Sequence, residues 1–415
     1  MSNSRTKKLA TDLEGVPVLV ERQLTLDKER TKRLPELFAH KLRRMSASPL
    51  AFLRGAAPLF YEILASSKDL SEGPPGEGHI VGDLHLENFG AYRPDVFAEL
   101  TAGKKHAANF NLNDFDDTVV APWRLDVLRF MTSLLLGGRE LGASGLVALE
   151  LVDHMFEAWE DAAFDGRPPP APPAPVETLL EQVRSRTRTQ LLDARTELAL
   201  GTRRFVRGPR YADLSKEIQA AVPRAFEDYI ASIPDAERPQ KGSLAIIDAA
   251  LRIAGTGSLG GLRIAVLVEG KGGPNGAWIF DLIEQGTPSA AVLFGEPPDD
   301  PATRVMTGFR TCIEHPPRIM GTTRLGKLSM FGRRLAPQED KLDLRRLRGD
   351  DLPALATYLG ALLGTAHRRG ATKPPSKRWS KSDRNTIRAQ AITLAGVHEA
   401  VYLALCERIR PIVAS

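Results

Sequence analysis

Two short polar segments carry side chains suited to phosphoryl-transfer chemistry. Asp83 comes directly after the run HIVG, and Asn88 follows in the same segment. The second segment, NLNDFDDT, places Asp114, Asp116 and Asp117 after another apolar run. A hard cation such as Mg²⁺ takes oxygen ligands from one or two carboxylates together with substrate phosphates. The set therefore predicts a carboxylate base that orients a hydroxyl nucleophile, with an asparagine and an aspartate on the metal.

Two other interpretations of these segments stay open. Asp and Asn are common turn residues, so either loop alone is compatible with simple turn capping. Asp83-Leu84-His85 also matches the start of a two-metal phosphoesterase motif, but that motif needs a downstream Gly-Asn-His, and the chain contains no Gly-Asn pair. His79 and His85 have no cysteine nearby and belong to no HxxxH helix, which disfavours a zinc site.

A glycine-rich segment, Gly255-Thr256-Gly257-Ser258-Leu259-Gly260, has the GxGxxG pattern. A dinucleotide-binding turn requires a helix directly after the glycines, whereas the β-rich runs RIAVLVEG and WIFDLIE follow here. A glycine loop between β-strands covers the nucleotide phosphates in protein kinases, because glycine lets backbone amides approach phosphate oxygens. An ordinary glycine-rich hairpin turn is the alternative.

Apolar spacing predicts the elements that hold these loops. Residues 79–83 and 107–112 predict two short strands that end in the polar segments. We expect helices over Arg22 to Arg44, from Ser48-Pro49 onward, from Pro122 to about Glu160, over 177–231 and from Leu352 to the end. The proline-rich stretch 167–175 predicts a linker or an exposed loop. Residues 242–335 are β-rich, with GKGGPNG as a hairpin turn, so the order favours the α+β class.

The composition excludes several classes of protein. The 415 residues are 42% hydrophobic and 26% charged, which excludes bulk disorder. Two cysteines, Cys312 and Cys406, cannot form a disulfide scaffold, and they favour a reducing compartment, so we expect a cytoplasmic protein. We find no run of about 18 apolar residues and expect no membrane partner. A net charge of only +5 and 6% aromatic residues disfavour a nucleic-acid partner.

Together, the motifs resemble a known class of enzymes. VGDLHLENFG resembles the catalytic loop of aminoglycoside- and choline-kinase-type phosphotransferases, and NDFDDT resembles their metal-binding segment. APWRLDVLRF resembles the element in which an aspartate, here Asp126, supports the catalytic loop. The chain as a whole is similar to the bacterial DUF2252 family, on segments that span most of residues 40–370, among them RRMSASPLAFLRGAAPLF, IAGTGSLGGLR and TRVMTGFR.

The resemblance implies a protein-kinase-like bilobal fold. Because the catalytic loop precedes the glycine loop in this chain, the fold would be circularly permuted. Residues 1–240 would form a helical lobe with the catalytic and metal loops, 241–340 a β-rich lobe with the glycine loop, and 341–415 helices that pack back on the helical lobe. The implied activity is phosphotransfer from ATP, with Mg²⁺, to the hydroxyl group of a small molecule.

The resemblance also assigns roles to residues. Asp83 would be the catalytic base, Asn88 and Asp114 would bind Mg²⁺, and Asp116 would assist them. The residues that would cover the nucleotide phosphates are Gly255, Thr256, Gly257, Ser258 and Gly260.

One departure from the kinase pattern bears on activity. Kinases place a lysine on the strand after the glycine loop and pair it with a glutamate on a helix. In this chain the corresponding positions hold Ile283 and Thr307. Lys271, Arg263 or Arg324 would then have to serve the phosphates. The alternative is a degenerate kinase-like module that binds a ligand or acts as a scaffold without catalysis.

Overall fold

The computed structural model describes residues 15–94, 107–239 and 244–413 of the chain. Helices account for 51% of the described residues and strands for 18%. The helices are α1 (Val16–Arg30), α2 (Leu37–Met45), α3 (Pro49–Gly55), α4 (Ala57–Ser66), α5 (Lys68–Ser71), α6 (Arg124–Glu140), α7 (Gly145–Asp165), α8 (Ala174–Ser185), α9 (Arg188–Asp193), α10 (Lys216–Ser232), α11 (Ala291–Phe294), α12 (Pro301–Cys312), α13 (Asp351–Arg369) and α14 (Lys381–Val413). The strands are β1 (Glu77–Ile80), β2 (Phe89–Tyr92), β3 (Asn109–Leu112), β4 (Val119–Pro122), β5 (Thr196–Ala199), β6 (Thr202–Phe205), β7 (Tyr211–Ala212), β8 (Ile246–Arg252), β9 (Arg263–Val268), β10 (Trp278–Gln285), β11 (Met320–Leu325), β12 (Leu328–Leu335), β13 (Asp340–Lys341) and β14 (Ala371–Lys373).

Within the described residues, the strands form four antiparallel sheets. Their orders are β14-β1-β4, β11-β12-β10-β9-β8-β7, β13-β2-β3 and β5-β6. Because antiparallel sheets occur beside segregated helices, the α+β prediction is confirmed. The finer prediction of a permuted kinase-like fold with lobes at 1–240, 241–340 and 341–415 stays a prediction.

The six-stranded sheet is covered by helical structure on both faces, because side chains alternate between the faces of a strand. On β10, Phe280 and Leu282 pack against α10 through residues such as Phe226. Ile283, on the opposite face, lies 6% exposed in the main helical core. The sheet therefore packs on the helical part through the face that carries Ile283 of β10.

Several predicted elements are confirmed. Pro49 begins α3, and the Ser48 hydroxyl caps the helix by accepting from the Ala51 amide at 3.1 Å. GKGGPNG connects β9 to β10, which pair antiparallel. The glycine-rich segment connects β8 to β9, which also pair antiparallel.

Four helix predictions were wrong in part. The predicted helix from Leu352 to the end is two helices, α13 and α14, with the short strand β14 between them. The predicted helix from Arg22 to Arg44 is two helices, α1 and α2, because Pro35 lies between them. The predicted helix from Pro122 to Glu160 is likewise divided into α6 and α7. Residues 177–231 contain β5, β6 and β7 in addition to helices. The β5–β6 hairpin turns at Leu200 and Gly201, whose φ angles of 50° and 78° suit a two-residue turn that the spacing of apolar residues does not reveal.

The C-terminal helix is long and apolar. Lys381–Ile412 is one helix that could cross a membrane by length and composition, among the described residues. Core helices of soluble proteins pass the same test. Its apolar positions Ile387, Leu394 and Val401 are 0% exposed in the main core, so packing inside the protein accounts for their apolar character.

Candidate active site

A cavity of about 350 Å³ lies between the helical part and the six-stranded sheet. It brings together most of the residues predicted from the two acidic segments and the glycine loop. From the helical side it is lined by Asp83, Asn88, Asp114 and Asp116, and from the β8–β9 loop by Gly255, Thr256, Gly257 and Ser258. Gly260 lies outside this lining. The folded chain therefore assembles the predicted residues around one space.

Two glycines explain how closely the β8–β9 loop approaches the helices. A Cβ atom on Gly257 would lie 2.8 Å from the Arg54 carbonyl oxygen and 3.6 Å from Oδ2 of Asp83. Gly260 has a φ of +101°, and its Cβ would lie 2.7 Å from the Arg30 carbonyl oxygen. Gly257 thus lets the loop lie directly over Asp83, whereas Gly260 seats the loop on α1.

Asp83 follows β1 and pairs with a buried cation. Arg129 on α6, 0% exposed in its side chain, donates from Nε to Asp83 Oδ1 at 2.9 Å and from Nη2 to the same atom. The Asp83 side chain remains 25% exposed toward the cavity. The pKa of Asp83 is raised to about 7, mainly by burial and in part by the charges of Asp117 and Asp114, against the opposing effect of Arg129. A carboxylate with this pKa can exchange a proton near neutral pH.

Asp126 holds the backbone before Asp83, as predicted. It accepts hydrogen bonds from the Val81 amide at 2.7 Å and the Gly82 amide at 2.9 Å. His367 Nε2 lies 3.1 Å from Asp126 Oδ2. Since His367 Nδ1 accepts from the Trp159 indole at 3.0 Å, Nε2 carries the proton and donates to Asp126. The backbone that precedes Asp83 is therefore anchored to both α6 and α13.

The acidic loop between β3 and β4 is tied to the end of β10. Asp116 Oδ1 accepts from Gln285 Nε2 at 3.0 Å, and Asp117 Oδ1 accepts from the Ser289 amide at 2.9 Å. Asp117 Oδ2 is buried without a hydrogen-bond partner among the described residues. Asp114 only weakly accepts from the Asp116 amide, at 3.4 Å. Asp114 is therefore the carboxylate of this loop that is most available to a ligand.

Asn88 has a structural contact in addition to its place in the cavity lining. It ends the short 3₁₀ helix Leu86–Asn88, and its Oδ1 accepts from the His85 amide at 2.8 Å. His85 Nδ1 in turn accepts from the Glu87 amide at 3.1 Å. Burial lowers the pKa of His85 well below its usual range, so its ring is neutral and acts within the loop.

The charges of the acidic residues favour a divalent cation, but the number of clustered carboxylates does not form a complete metal site. Burial raises the pKa of Asp116 to about 6, and the neighbouring charge of Asp114 adds to the rise. A cation between these carboxylates would relieve that repulsion. In the described part of the chain, however, no group of three or more His, Cys, Asp or Glu side chains is arranged to hold a metal. The set suits an ion such as Mg²⁺, which takes one or two carboxylates and completes its shell with phosphate and water.

The three cations predicted to serve the phosphates in place of the kinase lysine, Lys271, Arg263 and Arg324, do not line this cavity. Ile283 is buried in the main core, and Thr307 is exposed on α12. Arg263 donates to Asp281 at 2.7 Å, and exposed Arg324 pairs with Asp300 at 2.6 Å. Lys271 lies in the turn between β9 and β10. The cations that do line the cavity are Arg30, Lys41, Arg54 and Lys341.

Lys41 on α2 is the most buried of these cations. Its Nζ donates to the carbonyl oxygens of Thr256 at 3.2 Å and Gly257 at 3.0 Å, and lies 3.4 Å from Asp27 Oδ1. Both ionic side chains are 2% exposed. Burial lowers the pKa of Lys41 against the opposing charge of Asp27, and burial raises the pKa of Asp27. Lys41 thus fastens the glycine loop to the N-terminal helices.

Two more arginines hold the same loop. Arg44 donates to the Gly255 carbonyl, and Arg30 lies 3.5 Å from the Ser258 carbonyl. Arg54 instead pairs with Glu87 at 2.6 Å, beside Asn88. The sequence offered one signal for these cations, since Arg54 lies in the segment FLRG that resembles the family. No local pattern distinguished Lys41 or Lys341 from surface lysines.

Comparison with known proteins identifies the family of the chain but no individual relative. The family model of DUF2252, described as an uncharacterized protein conserved in bacteria, matches residues 33–408. No curated protein and no solved structure matches the chain.

Proposed function

The chain belongs to the DUF2252 family, and we propose that it is an ATP- and Mg²⁺-dependent phosphotransferase that acts on a hydroxyl group of a small molecule. One observation carries the proposal: a single cavity is lined by Asp83, Asn88 and Asp114 and also by the glycine loop. A carboxylate base, oxygen ligands for a metal and a flexible glycine backbone are the parts that phosphoryl transfer requires.

Asp83 is the proposed general base. A base works best when its pKa lies near the working pH, and the pKa of Asp83 is raised to about 7. It would accept the proton of the acceptor hydroxyl while that oxygen attacks the terminal phosphorus and the bond to the leaving diphosphate breaks. Arg129 would keep the carboxylate oriented through Oδ1, which leaves Oδ2 for the substrate.

Asp114 and Asp116 are the proposed metal ligands, with Asn88 beside them. Bound Mg²⁺ would neutralise charge on the nucleotide phosphates. Asp114 is the carboxylate expected to contribute most, because Asp116 also accepts from Gln285. The hydrogen bond from the His85 amide to Asn88 Oδ1 fixes the side chain but leaves one lone pair of that oxygen.

Cations from outside the β-rich part would replace the missing strand lysine. Lys341 lines the cavity, where burial lowers its pKa and the charges of Asp114 and Glu87 oppose that shift. Arg54 is held by Glu87 at the same side of the cavity. Either can approach a phosphate, whereas Lys41 is already engaged with two loop carbonyls and Asp27. Lys41 would therefore position the loop.

We also propose the permuted kinase-like fold implied by the resemblance. The arrangement that supports it is an antiparallel sheet with a glycine loop between adjacent strands, β8 and β9, placed over acidic loops of a helical part. Residues of the helical part precede that sheet in the chain.

A non-catalytic ligand-binding module is the second candidate. The observation in its favour is that Asp83, the proposed base, is engaged by the buried Arg129, while Ile283 occupies the lysine position in the core. Such a module would bind a nucleotide or another anion without transferring a group.

Calorimetric titration with a non-hydrolysable ATP analogue, with and without Mg²⁺, tests the proposal. We expect Asp114→Asn to remove the Mg²⁺-dependent part of the affinity, and the matched control Asp228→Asn, an exposed residue of α10, to leave it unchanged. An unchanged Mg²⁺ dependence in Asp114→Asn would refute the metal assignment. Nucleotide binding without turnover across a panel of hydroxyl acceptors would favour the non-catalytic module.

A further inference from the structure

A second cavity, of about 370 Å³, is lined mainly by arginines and lies far from the candidate active site. Trp278 begins β10, whereas Gln285, which lines the first cavity, ends it. Seven residue steps along a strand span about 23 Å. Trp278 and Gln285 also lie on opposite faces of the sheet, because side chains alternate along the strand. The two cavities are therefore separate.

The second cavity contains several cations close together. It is lined by Arg93, Arg188, Arg318 and Arg334, which come from four separate parts of the chain. Arg334 stacks on the Trp278 ring at 3.9 Å, and Arg188 lies over the same ring at 5.5 Å. The Arg318 amide donates to the Arg93 carbonyl at 3.4 Å, so these two residues are neighbours. The indole therefore holds two guanidinium groups in place.

The carboxylates nearby do not balance this charge. Glu339 accepts from the Ala336 amide at 3.0 Å and lies 3.6 Å from Arg333. Glu237 accepts from the Ile319 amide at 3.1 Å and lies 3.7 Å from Arg310. Both acids thus also serve groups outside the cavity, although the charge of Glu339 raises the pKa of Arg334 and so offsets part of the positive charge. Over the described residues, no ion pair within 4.0 Å joins Arg93, Arg188 or Arg334 to a carboxylate.

Two hydrogen-bond donors in the lining also have no partner. Arg334 Nε and Trp278 Nε1 are both buried and donate to no acceptor in the described part of the chain. A buried donor without an acceptor is costly, and such groups in a folded protein call for a ligand, a water or an ion. The pKa of Arg334 is lowered to about 9, mainly by burial and in part by the charges of Arg93, Arg188 and Arg318, with Glu339 opposing the shift. An anion in the cavity would remove both penalties.

We propose that this cavity is a binding site for a small molecule that carries two or more phosphate groups. Guanidinium forks bind phosphate oxygens in bidentate geometry. Three such forks around one cavity, those of Arg93, Arg188 and Arg334, match more than one anionic group, and a volume of about 370 Å³ lies in the range of small-molecule sites. The site is independent of the proposed phosphotransfer activity.

Inorganic pyrophosphate is the probe, and tryptophan fluorescence at about 0.15 M salt is the first measurement. Trp278 lies in the cavity, whereas Trp123, Trp159 and Trp379 contact one another in the helical core, with Trp159 and Trp379 centroids 4.6 Å apart. We expect a saturable fluorescence change that Trp278→Phe abolishes. We expect Arg93→Gln and Arg188→Gln each to weaken binding, measured by calorimetry, at least about tenfold. The control Arg345→Gln, at an exposed residue that pairs with Asp343, should bind as the parent chain does.

Thermal unfolding separates a binding role from a structural one. If Arg93 serves a ligand, Arg93→Gln without pyrophosphate should melt at the same or a higher temperature, because like-charge repulsion is reduced. Pyrophosphate should raise the melting temperature of the parent chain and of Arg345→Gln, and should raise that of Arg93→Gln much less. The proposal is overturned if pyrophosphate does not bind, if monophosphate binds equally well, or if Lys341→Gln in the first cavity abolishes binding while Arg93→Gln does not.

Discussion

Replacing Lys41 by methionine tests how the glycine loop is held. The change removes a charge that is 2% exposed and leaves Asp27, equally buried, without its cation. At the observed 3.4 Å and an effective dielectric constant of about 20, the attraction between the two charges is roughly 5 kcal/mol. Removing one partner of a buried pair typically costs about 3–5 kcal/mol. We therefore expect the free energy of unfolding to fall by about 3–5 kcal/mol at pH 8.

The same reasoning predicts a dependence on pH and a rescue. Burial already raises the pKa of Asp27, and loss of Lys41 would raise it further. A carboxyl group with a raised pKa in the folded state destabilises the protein as pH rises through that pKa, so the defect should be smaller at pH 5 than at pH 8. The double variant Lys41→Met/Asp27→Leu should recover most of the loss. It should remain about 1–3 kcal/mol less stable than the parent, because the Thr256 and Gly257 carbonyls lose a donor.

Urea unfolding of the parent, both single variants and the double variant measures this coupling. The control is Lys68→Met, which breaks an exposed pair with Glu72 at 3.5 Å and should change stability by less than about 0.5 kcal/mol. Simple addition of the two single effects in the double variant would refute the buried-pair explanation. So would a Lys41→Met variant as stable as Lys68→Met.

Three further predictions concern the site and its support. Asp83 must be ionised to accept a proton, and its pKa is raised to about 7, so kcat/KM for phosphotransfer should rise with pH and level off above about pH 7. Asp83→Asn should remove both the activity and this inflection. A flat pH profile in the parent chain would contradict the role of Asp83 as the base. Asp126→Asn should lower stability by about 2–4 kcal/mol in calorimetric unfolding, since a 0% exposed carboxylate loses hydrogen bonds from backbone amides and His367. Asp228→Asn is the exposed control. Gly257→Ala should destabilise the loop and weaken nucleotide binding, because the added Cβ would lie 2.8 Å from a backbone oxygen. The control is Gly349→Ala, whose Cβ would meet nothing within 4 Å. Equal effects of the two variants would exclude close approach as the reason for glycine at position 257.

Sequence patterns predicted the elements with a clear local signal better than the short strands. The glycine turn between β9 and β10 and the helix start at Pro49 were confirmed because each carries a local signal. The small sheet strands β5 to β7 were missed within 177–231. Their pairing depends on a turn with positive φ at Leu200, a residue type that gives no turn signal.

Local patterns were enough to predict the family, the α+β class and the segments that carry acidic and glycine residues, because these features lie close together in the chain. The cations that accompany them became visible only in the folded chain. Lys41 reaches the glycine loop across 215 positions of sequence, and Arg129 reaches Asp83 from another helix. The physical reason is that burial and charge pairing are properties of contacts between distant segments, and no residue spacing along the chain records those contacts.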